Sequence, residues 1–158
     1  MAKSKSRASD NGDIVRELRV AYGMEIETIQ NYIANSVHLD GVRSDVIKKA
    51  LAADVPTELM HAQQIAQRIK TIGGRVPGSL DNRTGQTYLQ PPEDPTDVVA
   101  VIRGVIEAEE GAIAQYNKII RMCEGRDYVT QDLMIEILAG EEDHRREFIG
   151  FLREYSKG

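Results

Sequence analysis

The chain carries a single cysteine, Cys123, no tryptophan and only two phenylalanines among its 158 residues. One cysteine makes no internal disulfide, and a reducing compartment is expected. Cys123 closes a helical apolar pattern and reads as a small core residue rather than a reactive thiol. No stretch approaches the roughly 18 consecutive apolar residues of a membrane-spanning helix. The first residues, with Lys3, Lys5 and Arg7 among Ser and Ala, lack the apolar centre of a secretory signal. Export and membrane insertion are therefore disfavoured, and the cytoplasm is the default location. A net charge of −5 argues against a protein that coats nucleic acid with its whole surface.

What is present is a content of 41% apolar residues, in a length that suits one domain with a proper core and is short for two. Helical periodicity dominates. From Gly12 to Leu39 the positions Ile14, Leu18, Ala21, Ile29, Tyr32 and Ser36 recur at steps of three and four, and the pattern stops at Asp40-Gly41. Glu25 lies inside this stripe, whereas Glu17 and Glu27 fall off it. Arg43 to Ile72 repeats the pattern with Ile47, Leu51, Val55, Ala62, Ile65 and Ile69, and ends at Gly73-Gly74. Pro56, inside this second helix, frees the carbonyl four residues earlier and predicts a kink or short break near Asp54. The third helix is expected from Asp97 to about Glu124, N-capped by Thr96, with Val98, Ile102, Val105, Ala112, Tyr116 and Ile119 in its stripe. The fourth begins near Thr130 and carries Leu133, Ile137, Phe148, Phe151 and Tyr155.

Between residues 73 and 95 no helical period survives. Loops this long inside a compact domain are uncommon unless functional or a crossover. A helix of about 25 residues is roughly 37 Å long, and about twenty extended residues at roughly 3.3 Å each can run its length. Helices two and three can therefore lie parallel, joined by a strap. The expected organisation is a basic, disordered tail over residues 1–11 and an all-α four-helix bundle over 12–155.

Four charged groups sit where core residues should be, and they repeat. Glu58-x-x-His61 and Glu141-x-x-His144 each fall in an apolar stripe. Glu25 stands 33 residues before Glu58 and seven before Tyr32; Glu109 stands 32 before Glu141 and seven before Tyr116. Periodicity places Glu107 on the opposite side of helix three and Glu110 about 100° from the stripe, at 100° per residue. One Glu-x-x-His is common on helices; two copies, each preceded by an in-stripe Glu, form a pattern. Taken alone, Glu25 also has a blander, less favoured reading as a residue near a helix end or an interface.

Burying an ionised carboxylate without a partner costs several kcal/mol. Residues at i and i+3 share a helix face, so each Glu-x-x-His presents one oxygen and one nitrogen together, and a Glu from each remaining helix completes a two-metal carboxylate site. Four carboxylates balance two divalent cations. Oxygen-rich donors with two imidazoles and no thiolate point to two iron ions, with manganese or zinc able to occupy the same site. Two ferrous ions can each give one electron to a single O2 or H2O2, which avoids one-electron products.

The segment Asp127-Tyr128-Val129-Thr130-Gln131-Asp132-Leu133-Met134-Ile135-Glu136-Ile137-Leu138 followed by Glu141-Glu142-Asp143-His144 resembles the last main helix of bacterioferritins. Glu25 to Tyr32, Glu58-x-x-His61 and the Arg68-Ile69 to Gly73-Gly74 end of helix two resemble the same family, over roughly residues 12 to 155. The resemblance implies Glu58 and Glu141 as bridging ligands, His61 and His144 as one nitrogen donor to each iron, and Glu25 and Glu109 as terminal ligands. It also implies ferroxidase activity and a hollow iron-storing cage.

Three departures qualify it. Bacterioferritins place a haem-ligating Met directly after the bridging Glu of helix two; here Leu59 follows Glu58 and Met60 comes one later, so haem is not expected. Counting back from Gly111 puts the family's Glu on Ala108, so Glu109 requires a small shift and Glu110 stays open. Fourteen residues follow His144, enough to finish helix four without the fifth helix of 24-subunit cages. The last feature, with the basic tail, resembles the twelve-subunit miniferritins of the Dps class, and a dodecamer is expected ahead of a 24-mer. The tail could touch DNA through electrostatics, although a solubilising role is the simpler reading. Glu142, Asp143, Arg145 and Arg146 lie off the stripe, on a solvated or intersubunit face. Two other readings of the function stand beside the ferroxidase: a rubrerythrin-like peroxide-reducing enzyme, and a non-catalytic bundle acting through assembly.

Overall fold

In a computed structural model of the chain, residues 11–157 are described. They form four long helices, α1 (Gly12–His38), α2 (Asp45–Thr71), α3 (Val98–Cys123) and α4 (Tyr128–Tyr155), with two short 3-10 turns at Ser79–Asp81 and Thr87–Leu89 and no strand among the described residues. Each pair α1–α2 and α3–α4 packs as a hairpin, and the two hairpins meet chiefly along α1 and α3. Asp13 at the start of α1 pairs with Arg126 after α3, at 3.0 Å, and Arg68 near the end of α2 pairs with Asp127 before α4, at 2.8 Å. At the opposite end Asp40 N–H bonds the Pro95 carbonyl at 2.8 Å, and Arg43 reaches the Tyr155 carbonyl. Helices α2 and α3 therefore run parallel and the strap between them spans the bundle, as the loop length required. This is the ferritin-like four-helix architecture. No described helix is long and apolar enough to cross a membrane. The basic tail falls almost wholly on residues 1–10, outside the described residues.

Several local expectations are corrected. The short break allowed near Asp54 does not occur, and helix α2 runs continuously through Pro56. Pro56 and Ala52, whose carbonyl loses its partner, are both exposed, so water can satisfy the freed oxygen. Thr96 does not cap α3: its N–H and hydroxyl both bond Asp94 Oδ1, and Asp97 accepts from Ala100 N–H at 3.0 Å instead. Asp127 caps α4 in the same way through Thr130 N–H, which moves the start to Tyr128. On α1 the buried position is Asn35 rather than Ser36, and on α4 it is Met134 rather than Leu133. Glu17, expected off the stripe, is buried because Gln115 and Lys118 on α3 hold its carboxylate at 3.0 and 2.9 Å.

The strap is pressed onto the bundle. A Cβ at Gly104 would stand 2.4 Å from the Tyr88 carbonyl oxygen, so only glycine lets the strap lie this close to α3. Gly73, with φ +91°, turns the chain out of α2 in a conformation that favours glycine. Apolar packing divides into two clusters. Ile14, Leu18, Ile65, Ile119, Cys123 and Met134 fill one end, and Leu39, Ile47, Leu51, Leu89, Ile102 and Phe148 the other. Cys123 is fully buried, and burial pushes its thiol up to about 11, in keeping with a core role. Between the clusters lies a polar layer.

Candidate metal centre

Six side chains from the four helices build that layer. α1 contributes Glu25, α2 Glu58 and His61, α3 Glu109, and α4 Glu141 and His144. Glu25, Glu58, Glu109 and Glu141 are at most 3% exposed. They converge as two donor groups, Glu25–Glu58–His61–Glu141 and Glu58–Glu109–Glu141–His144, each with its donor atoms within 4.8 Å of one another. Glu58 and Glu141 belong to both. Glu110, left open by counting along the sequence, is exposed, and Glu109 is the α3 acid in the cluster. Leu59 and Met60 are half-exposed and point away from it.

The layer does not satisfy itself. Glu58 Oε1, His61 Nδ1, Glu109 Oε2, Glu141 Oε1 and His144 Nδ1 are buried without an aligned hydrogen bond. His61 Nδ1 and Glu141 Oε1 approach to 2.9 Å, and His144 Nδ1 and Glu58 Oε1 to 3.3 Å, in orientations that make no hydrogen bond. Buried polar groups are otherwise nearly always paired. Donor atoms facing one another across such gaps fit a pair of cations placed between them, and four carboxylates with two imidazoles give the hard, mixed O/N set that iron or manganese takes. The residues present therefore fit a di-metal group.

Electrostatics in the metal-free protein agree. Burial pushes the Glu25 carboxyl well above its ordinary value, reinforced by the charge of Glu58. Burial does the same to Glu109, reinforced by Glu141. Burial also acts upward on Glu58, but contacts with His144, His61 and Glu25 outweigh it and bring that group down to about 2. His61 is pulled down by burial yet lifted to about 9 by Glu141 and Glu58. The Glu58 contact lifts His144 to about 9 against burial, with help from Asp54. Protons held on these groups offset part of the negative charge of the buried carboxylates.

Two tyrosines complete the surroundings, and they are crossed. Tyr32 on α1 donates to Glu109 Oε1 at 2.6 Å, and Tyr116 on α3 donates to Glu25 Oε1. Each tyrosine thus orients the acid of the other half.

Sequence reasoning missed Asp54 and the strap's polar residues. Asp54 Oδ1 lies 3.7 Å from His144 Nε2, behind the nitrogen that faces the cluster. Its i, i+4 relation to Glu58 on α2 was a usable signal. Gln86, Thr28 and Asn31 form a buried network between strap and α1. Nothing periodic marks Gln86, because the strap has no regular structure.

Over residues 16–157 the chain matches the ferritin-like domain family. It belongs to that family. A DNA protection during starvation protein of Pyrococcus furiosus is 27% identical over 133 residues, covering 81% of this chain and 70% of that protein. The crystal structure of Desulfovibrio desulfuricans bacterioferritin, described by its diiron site, superimposes with a TM-score of 0.83 at 20% identity, covering 96% of this chain and 85% of the other. A dodecameric thioferritin of Bacteroides fragilis, a bacterioferritin-related protein, gives 0.77 at 22%, covering 92% and 87%. At these identities the superpositions establish the shared fold.

Proposed function

We propose that this ferritin-like protein is a ferroxidase: residues 12–155 act as one domain that takes two ferrous ions between α1–α4 and returns ferric iron for storage in an oligomeric shell. The observation that carries the reading is the sharing of Glu58 and Glu141 by both donor groups. Shared carboxylates would hold two cations side by side, and two ferrous ions bound there would together supply the two electrons that, with two protons, reduce O2 to H2O2 or H2O2 to two waters. Glu25 with His61, and Glu109 with His144, complete the two half-sites, and manganese or zinc would compete for the same donors. The chain's own part is positional and protonic. Tyr116 and Tyr32 hold the terminal carboxylates in place. The imidazoles and terminal acids give up protons as cations arrive and lie close enough to take them back on release.

Glu58→Ala and His144→Ala are expected to abolish rapid ferrous oxidation while leaving the helical circular dichroism intact. Variants that oxidise iron at the parent rate would refute the ligand assignment. A dodecamer, as in the thioferritin relative, is the proposed assembly, and sedimentation should return twelve times the mass of one chain. A particle of 24 chains or of two would overturn that part.

A further inference from the structure

A small cavity adjoins the donor cluster. It has room for about 10 Å³, one water-sized guest, and is walled by Glu25, Glu58, Glu109 and Glu141 on one side and by Met24, Thr28, Gln86 and Ala112 on the other. On the outer side of the strap lies an open cleft of about 320 Å³, bounded by Glu27, Gln30, Asn31, Thr84 and Gln90. Gln86 and Gln86 alone lines both. It is 4% exposed, while Thr84, Gly85 and Thr87 around it are exposed, so its side chain is the layer between cavity and solvent at this point.

Gln86 is locked in that position. Its Nε2 donates to Thr28 Oγ1 at 2.7 Å and its Oε1 accepts from Asn31 Nδ2 at 3.0 Å, both partners being buried. The backbone around it is held as well: the Glu27 carboxylate accepts from Gly85 N–H at 2.8 and 3.1 Å and from Gln86 N–H at 2.8 Å. This use commits the one carboxylate of the cleft, whose other groups are amides and hydroxyls. Such a lining suits a neutral, hydrogen-bonding guest better than a hydrated cation, which seeks free carboxylates.

Resting on the ferroxidase reading, we propose that Gln86 is the size-selecting residue through which the oxidant reaches the di-metal cavity, admitting O2 and hydrogen peroxide and refusing oxidants that carry an alkyl group. Room for a two-atom oxidant is gained by movement of Met24, whose unbranched thioether adapts readily. A tert-butyl group needs far more, and it enters only if Gln86 breaks both amide hydrogen bonds and the Glu27 tether yields.

The test compares the parent chain with Gln86→Ala, which removes the barrier, and Glu27→Gln, which loosens the tether but leaves the cavity lining intact. Circular dichroism verifies folding of each. In the first arm ferrous oxidation is timed with hydrogen peroxide and with tert-butyl hydroperoxide. The ratio of the two rates should fall at least tenfold in Gln86→Ala and by a smaller factor in Glu27→Gln. In the second arm the chains are loaded with Co(II) and titrated with imidazole, which is too large for the closed cavity. The cobalt spectrum should shift in Gln86→Ala and stay unchanged in the parent. Cobalt binding with the same rate ratio and the same imidazole response in all three chains overturns the gate and leaves the ferroxidase reading standing. A parent chain that binds no cobalt overturns both. If Glu58→Ala oxidises iron like the parent, the ferroxidase reading fails by itself, and the imidazole response still decides whether Gln86 is the barrier.

Discussion

Cation binding should be driven by pH, because every half-site must first lose a proton. His61 and His144 are lifted to about 9, and their side chains are 6% and 14% exposed. At pH 7 both are imidazolium in the metal-free protein. Removing a proton two units below its pKa costs about 3 kcal/mol, at roughly 1.4 kcal/mol per unit. Each half-site contains one of these imidazoles, so each incoming ion displaces at least one proton. Below pH 9 its apparent affinity should rise at least tenfold per pH unit. Glu25 and Glu109, raised by burial, add further protons in the same direction. The expected release is two to four protons per two ions at pH 7. Co(II) is a suitable probe, titrated between pH 6 and 8 and followed by absorbance, with calorimetry in buffers of different ionisation enthalpy to count protons. Affinity independent of pH, or release below one proton per ion, would refute the protonated cluster.

Three further outcomes follow from the same geometry. Because the folded imidazoles bind protons more tightly than in the unfolded chain, their stabilisation of the metal-free protein is complete below pH 6.5 and is lost as pH rises to about 9. Glu25 and Glu109, also raised, act with the same sign, so the metal-free protein should melt at lower temperature at pH 9 than at pH 6.5; a higher melting temperature at pH 9 contradicts this. Tyr116→Phe should weaken the half-site containing Glu25, and Tyr32→Phe the one containing Glu109, each by about ten- to a hundredfold in cobalt affinity. Two variants that weaken the same titration step would show that the crossed pairing is wrong. Gly104→Ala forces a methyl to 2.4 Å from the Tyr88 carbonyl and should cost about 1–3 kcal/mol as the strap shifts; an unchanged denaturation midpoint would show that the strap is not held there.

Much of this protein was readable from residue order alone. The four helices follow from apolar periodicity, the parallel α2 and α3 from the length of the strap, and Glu25, Glu58, His61, Glu141 and His144 from acids and imidazoles standing in apolar stripes. These features are local: a helix face is set by spacing, and a charge on a buried face demands a partner wherever the fold puts it. Helix ends were read less well, because capping depends on which of two adjacent side chains reaches a free N–H, as Asp97 does in place of Thr96.

Only the tertiary structure decided the rest. The choice of Glu109 over Glu110 turned on the rotation of α3 about its own axis, which a sequence stripe fixes only to within a residue. The exchange of tyrosines between halves, the placement of Asp54 behind His144 and the burial of Gln86 each join positions at least 55 residues apart. Local periodicity contains no term for contacts of that range. They arise from how two hairpins and a strap with no regular repeat settle against one another.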